Sequence, residues 1–381
     1  MEVGGTSANA DTYTRLTTET SASGDAGDLK IDTRQLRIRN GASVSTGTLL
    51  DSQGKGGNLA VTATDSVQLS TRGSLVTQTL GSGNAGDLTL ETGSLIVQDE
   101  AFIFAATFNQ GVGGNIQLKA NSLSLNNRAT ITGSSQGQGK AGNININLRD
   151  NLQANNGNIT TAATQAGGGD ISIAAKDMFL SNNSDIRTNL SRGGGSGGNI
   201  FLSADTIISL EDSDIFAFAP EGQGGNIIFN TRAFVSSPLY RPIQTRTDAA
   251  TLQALDGNNR VDVNASGIVS GSIIGVPDIT FLQNSLTDLP ANIIDANALI
   301  ANSCIARRNN RQNSTFLITG SGGLPERPGD APLSPYITGT MQSITTSTTS
   351  HRPWKIGDPI VEPQGVYRLE NGSLVMSREC R

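Results

Sequence analysis

The sequence predicts an all-β chain wound as a parallel β-helix, with three short strands in each coil of about 28 residues. Three observations carry that prediction. A small-Gly-Asn/Asp-aliphatic-x-aliphatic motif recurs at Asp28, Asn58, Asp87, Asn115, Asn143, Asp170, Asn199 and Asn226, in steps of 30, 29, 28, 28, 27, 29 and 27 residues. Within each repeat the apolar residues alternate with polar ones, the mark of a strand with one buried face. All 12 prolines fall at or beyond Pro220. Proline removes a ladder donor, so its absence from all coils before the last interval of the series fits continuous strand pairing.

The first strand of each coil follows the Asn/Asp position directly. Position +1 reads Leu29, Leu59, Leu88, Ile116, Ile144, Ile171, Ile200 and Ile227, and position +3 reads Ile31, Val61, Leu90, Leu118, Ile146, Ile173, Leu202 and Phe229. The second strand carries the pairs Leu36/Ile38, Val67/Leu69, Leu95/Val97, Leu123/Leu125, Met178/Leu180 and Ile208/Leu210. The third begins about sixteen residues after the motif, at Val44, Leu75, Ile103, Ile131, Ile159, Ile186 and Ile215. Gly, Ser, Gln and Asn fill the rest, which is turn chemistry. Rungs stacked at the spacing of paired strands, about 4.8 Å, give eight coils a length of about 40 Å. Leucine-rich repeats have a similar period but a different apolar pattern, and a propeller blade needs a longer one.

The Asn/Asp column reads as a structural ladder. Stacked Asn side chains can bond amide to amide. Asp28, Asp87 and Asp170 are never in consecutive rungs, as expected if adjacent carboxylates repel. The glycine before the column is expected either to hold a backbone conformation closed to other residues or to permit close approach of the loop.

We divide the chain into β-helix repeats over 1–230, an irregular excursion with final coils and cap over 231–304, and a Pro/Ser/Thr-rich tail over 305–381. Residues before Asp28 match the last third of a coil, so the chain is expected to be the C-terminal portion of a longer protein. Arg232, Arg241 and Arg246 are assigned to the excursion. Alternation returns at Val261–Val263 and Gly267–Ile274, giving one or two more coils. A short helix is expected over Leu289–Ala301, a strand over Phe316–Pro325 and a terminal hairpin over Val366–Met376, turning at Asn371-Gly372.

Composition narrows the function. The net charge of −6 argues against a nucleic-acid surface. No run of 18 apolar residues spans a membrane. One histidine, His351, lies in the tail without a cluster around it, and no glycine-rich loop leads into a phosphate-binding helix. Carboxylates gather at Asp99/Glu100 and at Glu211/Asp212/Asp214. They are read either as a solvated edge or as a calcium or acid–base site. Calcium-binding nonapeptides need a nine-residue period, which this chain lacks. Phe102, Phe104, Phe108, Phe216 and Phe218 are read either as packing beside the coil or as exposed platforms for sugars. No catalytic residue, metal ligand or cofactor is assigned.

The Gly-Gly-Asn-Ile repeats, Pro277–Ile279 through Leu289-Pro290, Ala298–Cys304 and Thr319–Pro325 together resemble the C-terminal half of filamentous-haemagglutinin-like exoproteins. The similarity is to the large cyanobacterial ones of the two-partner-secretion or S-layer type. It implies a right-handed parallel β-helix, exported through an outer-membrane β-barrel transporter and secreted or held at the cell surface. We expect a structural or adhesive role, done by a long repetitive surface, rather than an enzymatic one, exercised as a monomer, with surface carbohydrate or other cells as ligands. The alternatives are a carbohydrate-active β-helix enzyme, lyase or hydrolase, and a passive stalk of a larger adhesin. In an exported protein Cys304 and Cys380 either pair, tying the hairpin back to the end of the rod, or remain separate thiols.

Overall fold

The structure is a computed structural model and describes residues 1–5, 13–246, 251, 254–277, 365–368 and 374–377. The chain falls into two units, Met1–Phe281 and Leu282–Arg381. Unit one is a β-solenoid of about eight turns, with every named strand pairing in it parallel. Apart from a helical turn that includes Ala254 and Leu255, the regular structure of its described residues is all β.

Each coil contributes one strand to each of three stacked sheets. On the first sheet, Leu29, Leu59, Leu88, Ile116, Ile144, Ile171, Ile200 and Ile227 stand in one register, and Ile273 extends the column. On the third, Leu16, Val44, Leu75, Ile103, Ile131, Ile159, Ile186, Ile215 and Val263 do the same. Apart from the partly exposed end residues Leu16, Leu29 and Ile273, these side chains are buried in one continuous apolar core. That core is what holds the coils together, because each coil can bury its inner face only against its neighbours.

The second sheet holds one register correction. Met178 pairs with Ile207, and Leu180 pairs with Ser209. Ile207 and Ser209 point inward and are fully buried, whereas Ile208 and Leu210 are only partly buried. The apolar run Ile207-Ile208 offers two registers, and a shift of one residue exchanges the faces. The fifth coil, for which the sequence offered no second pair, supplies Leu152 and Ala154. A small alanine hides the pattern there.

The eighth coil's strand continues as Ile227–Ser237, so the irregular stretch starts later than the sequence suggests. Arg232 lies on that strand. The chain then forms Arg241–Ile243 and returns as Asp262–Asn264, which lies between Ile215–Gln223 and Arg241–Ile243. Gly267–Val269 pairs on Ile215–Gln223, and Ile273–Ile274 pairs on the eighth coil, so one further coil follows the repeats.

In unit two, Gly365–Arg368 pairs antiparallel with Leu374–Ser377, matching Val366 to Met376. These are the two strands of the expected hairpin, and its turn at Asn371-Gly372 lies outside the described residues. The expected helix at Leu289–Ala301, the strand at Phe316–Pro325, His351, Cys304 and Cys380 lie outside the described residues.

Candidate functional site

The Asn/Asp column bonds differently from the amide-to-amide ladder that the sequence suggests. Each side-chain oxygen accepts the backbone N–H of the Asn or Asp one coil on. Asn58 N–H donates to Asp28 Oδ1 at 2.7 Å, Asp87 N–H to Asn58 Oδ1 at 2.9 Å, and Asn115 N–H to Asp87 Oδ1 at 2.8 Å. The series runs through Asn143, Asp170, Asn199 and Asn226 to Ser272. In return, the next backbone N–H in each coil donates upward, as Leu59 does to the Asp87 carbonyl. A carboxylate and a side-chain amide each present an oxygen that can accept this bond, which is why both residues serve. Side-chain amides add bonds only where Asn follows Asp, from Asn115 Nδ2 to Asp87 and from Asn199 Nδ2 to Asp170.

An Asn58→Asp chain would place three carboxylates in consecutive rungs. It should lose about 1 kcal/mol of stability at neutral pH through repulsion between neighbouring carboxylates. Thermal melts of the variant and the parent chain at neutral pH check this, and equal melts would remove charge repulsion from the ladder.

The glycines before the column settle the second of the two expectations for them. Gly57, Gly86, Gly114, Gly142, Gly169, Gly198 and Gly225 each lie against the carbonyl of the equivalent glycine one coil below, leaving no room for a Cβ. None of them lies in the left-handed region. A threonine column also serves this corner and escaped the sequence reading. Thr18, Thr46, Thr161 and Thr188 donate their hydroxyls to the carbonyls of Gly27, Gly57, Gly169 and Gly198. Its signal was present, as a threonine two residues after the third strand's first aliphatic position.

A second Asx ladder runs at the start of the third sheet, through Asn158, Asp185, Asp214 and Asp262. Asp185 N–H donates to Asn158 Oδ1, Asp214 N–H to Asp185 Oδ1, and Asp262 N–H to Asp214 Oδ1, at 2.7, 2.9 and 2.7 Å. Here three carboxyls are consecutive. Arg187 pairs with Asp185 and Asp256, and Arg241 grips both oxygens of Asp262. Asp214, between them, is 0% exposed and its Oδ2 has no partner. Burial, with Asp185, Asp262 and Asp212 nearby, pushes its pKa up to about 9, against the bond from Asp262 N–H. Burial raises Asp185 to about 6, with Arg187 opposing. Asp214 therefore keeps its proton at neutral pH and separates the negative charges, as Asn does in the first ladder.

The reading of Glu211/Asp212/Asp214 as a solvated edge is thus corrected. Glu211 is exposed, but Asp212 and Asp214 are buried because the final coil closes over them.

The other acidic pair, Asp99/Glu100, lies on the turn between the second and third sheets. This turn recurs as two left-handed residues in five coils, at Thr71/Arg72, Asp99/Glu100, Asn127/Arg128, Asn182/Asn183 and Glu211/Asp212, with φ between 49° and 64°, and as Asn156 alone in the fifth coil of the series. Asn and Asp tolerate that conformation, whereas Thr, Arg and Glu are strained in it. Rung-to-rung bonds hold it, such as Glu100 N–H to the Asn127 carbonyl at 2.9 Å. The stacked turns line a groove of about 750 Å3 that includes Tyr13, Arg72, Asp99, Glu100, Asn127 and Arg128. Arg72 Nε donates to Glu100 Oε2 at 2.7 Å, and Arg128 pairs with the other oxygen. Arg72, by hydrogen bond, and Arg128, by charge, hold the Glu100 carboxyl below the usual range. A carboxylate so held is a poor proton donor.

Beside that groove, the outer face of the third sheet carries a slot of about 430 Å3. Its floor is Ser43, Ser45, Ser74 and Val76. Tyr13, Arg15 and Glu19 line it from the coil below, and Phe102 and Phe104 from the coil above. The Tyr13 ring lies over Gly41, whose φ of 72° and missing Cβ admit it. Phe102 and Phe104 meet edge to face at 6.5 Å between centroids, and Phe104 meets Phe108 at 6.1 Å. Tyr13 is 48% exposed and Phe108 37%. Phe216 is buried against Leu255 from the excursion, so it packs rather than presenting a platform.

Among the described residues, no group of three His, Cys, Asp or Glu side chains comes together as a metal site, and no helix is long and apolar enough to cross a membrane. Comparison with family models, with curated proteins and with solved structures finds no match.

Proposed function

We propose that this chain is a secreted or cell-surface β-helical exoprotein of the filamentous-haemagglutinin type, structural or adhesive in its work rather than enzymatic. The single observation that carries the reading is the uninterrupted solenoid. Its apolar columns continue from coil to coil, and its outer faces repeat side chains at one-rung spacing. Such a rod offers a long, repetitive surface. The state of the acidic groups supports the non-enzymatic side. Glu100 is tied between two arginines, and Asp214 is buried behind the final coil. The resemblance of the repeats and tail motifs adds export through an outer-membrane β-barrel transporter.

The test uses antibodies raised against the purified chain. Intact source cells, and the medium around them, should carry the antigen, and a protease added outside should remove it from the cells. Cells lacking the transporter should retain it inside the outer membrane. Antigen found only after lysis would overturn the reading.

A further inference from the structure

We propose that the slot on the outer face of the third sheet binds a neutral glycan, with a sugar ring seated between Tyr13 and the Phe102/Phe104 pair. The proposal deepens the adhesive reading and rests on it. Its basis is the side-chain sizes that the stacking brings together. Two successive coils present Ser43, Ser45 and Gly47, then Ser74 and Val76, a row of small residues closed at one end by Gln78 opposite Gly47, while the coils on either side present large ones. A depression with aromatic sides follows from that order, on strands held rigid by the core beneath.

The chemistry selects the ligand. Arg72 is held by Glu100, which also pairs with Arg128, and Arg15 and Glu19 bring one charge of each sign, so the lining offers neither a cluster of cations for an anion nor a cluster of carboxylates for a cation. The floor is a hydroxyl surface. Ser45 Oγ donates to Thr17 Oγ1 at 3.1 Å, with Glu19 Oε1 at 3.4 Å, and Ser74 Oγ donates to Ser43 Oγ at 3.0 Å. A purely apolar ligand would take water from these groups and return no hydrogen bond. A sugar ring has a C–H face for the aromatic sides and a rim of hydroxyls for the floor and the charged ends. The slot's volume of about 430 Å3 is within the usual range for small-ligand sites.

The experiment is calorimetric titration of the full chain with neutral cello-, malto-, xylo- and manno-oligosaccharides, with polygalacturonate and a sulfated glycan as charged comparators. At least one neutral series should saturate at millimolar concentration. Phe104→Ala should weaken it about tenfold, in line with the loss of one aromatic face. Val76→Phe fills the slot from an outward position and should abolish binding, while Phe201→Ala, an exposed aromatic on another sheet, should leave it unchanged. Unaltered circular dichroism would establish that each variant is folded. Binding of charged glycans alone, no saturation by any neutral series, or full binding by folded Val76→Phe would each overturn the proposal. Antigen on the cell surface with no glycan binding would sink the slot and leave the exoprotein reading standing. Glycan binding by a chain confined within the cell would do the reverse.

Discussion

A Gly114→Ala chain is expected to lose about 3 kcal/mol, well beyond the usual cost of a surface alanine. Gly114 lies against the Gly86 carbonyl one coil below, and its own carbonyl is overlain by Gly142. A methyl group there has nowhere to turn, because the neighbours are backbone. The two coils would have to separate along the corner that carries the Asx ladder. That threatens the bonds from Asn115 N–H to Asp87 and from Asn143 N–H to Asn115. In a solenoid, stability is close to a sum of coil and nearest-neighbour terms, so damage at one interface weakens the whole stack. Gly24→Ala is the control. Nothing lies within 4 Å of a Cβ at that position, and the change should move stability by less than about 0.5 kcal/mol. Denaturant titration of both variants checks this, and equal midpoints would mean the glycine column has slack.

Asp214→Asn should stabilise the protein, and increasingly so as pH rises. The folded chain holds the Asp214 proton up to about 9, against an ordinary value of 3.8. Stability from this carboxyl is therefore full below the ordinary value, falls as pH rises, and levels off once pH passes the folded value. Asp185, raised to about 6, adds a loss of the same sign that is complete earlier. Asparagine keeps the Oδ1 that accepts Asp262 N–H and cannot ionise. Facing this group are Asp185, Asp212 and Asp262, with Arg187 and Arg241 on the flanks. The wild-type melting temperature should decline between about pH 5 and about pH 9, while the variant's should level off above about pH 7, with a gain of about 2 kcal/mol at about pH 8. Parallel pH profiles for the two proteins would show that Asp214 does not titrate with unfolding.

Both predictions turn on groups that the sequence treats unequally. Gly114 was legible at once, because eight copies of one motif name the position and only the atom it touches was missing. Asp214 was visible as one of three acids but not as a ladder member. Its partner Asp262 lies 48 residues on, across the excursion, where the period of about 28 is broken. The Ile207 register was misjudged for a related reason: two adjacent isoleucines satisfy the pattern in either phase, and only pairing with Met178 selects one.

By itself, then, the sequence determined the coil, its three apolar columns, the glycine–Asx corner, the extra coil after the excursion and the terminal hairpin. Each is a local or strictly periodic pattern, and such patterns survive in one dimension. The tertiary structure alone decided the protonated middle of the second ladder, the pairing of Glu100 between Arg72 and Arg128, and the aromatic-sided slot. These depend on which side chains from different coils share a corner and on how far water is excluded there. Burial and charge are properties of the stacked assembly, and no single repeat carries them.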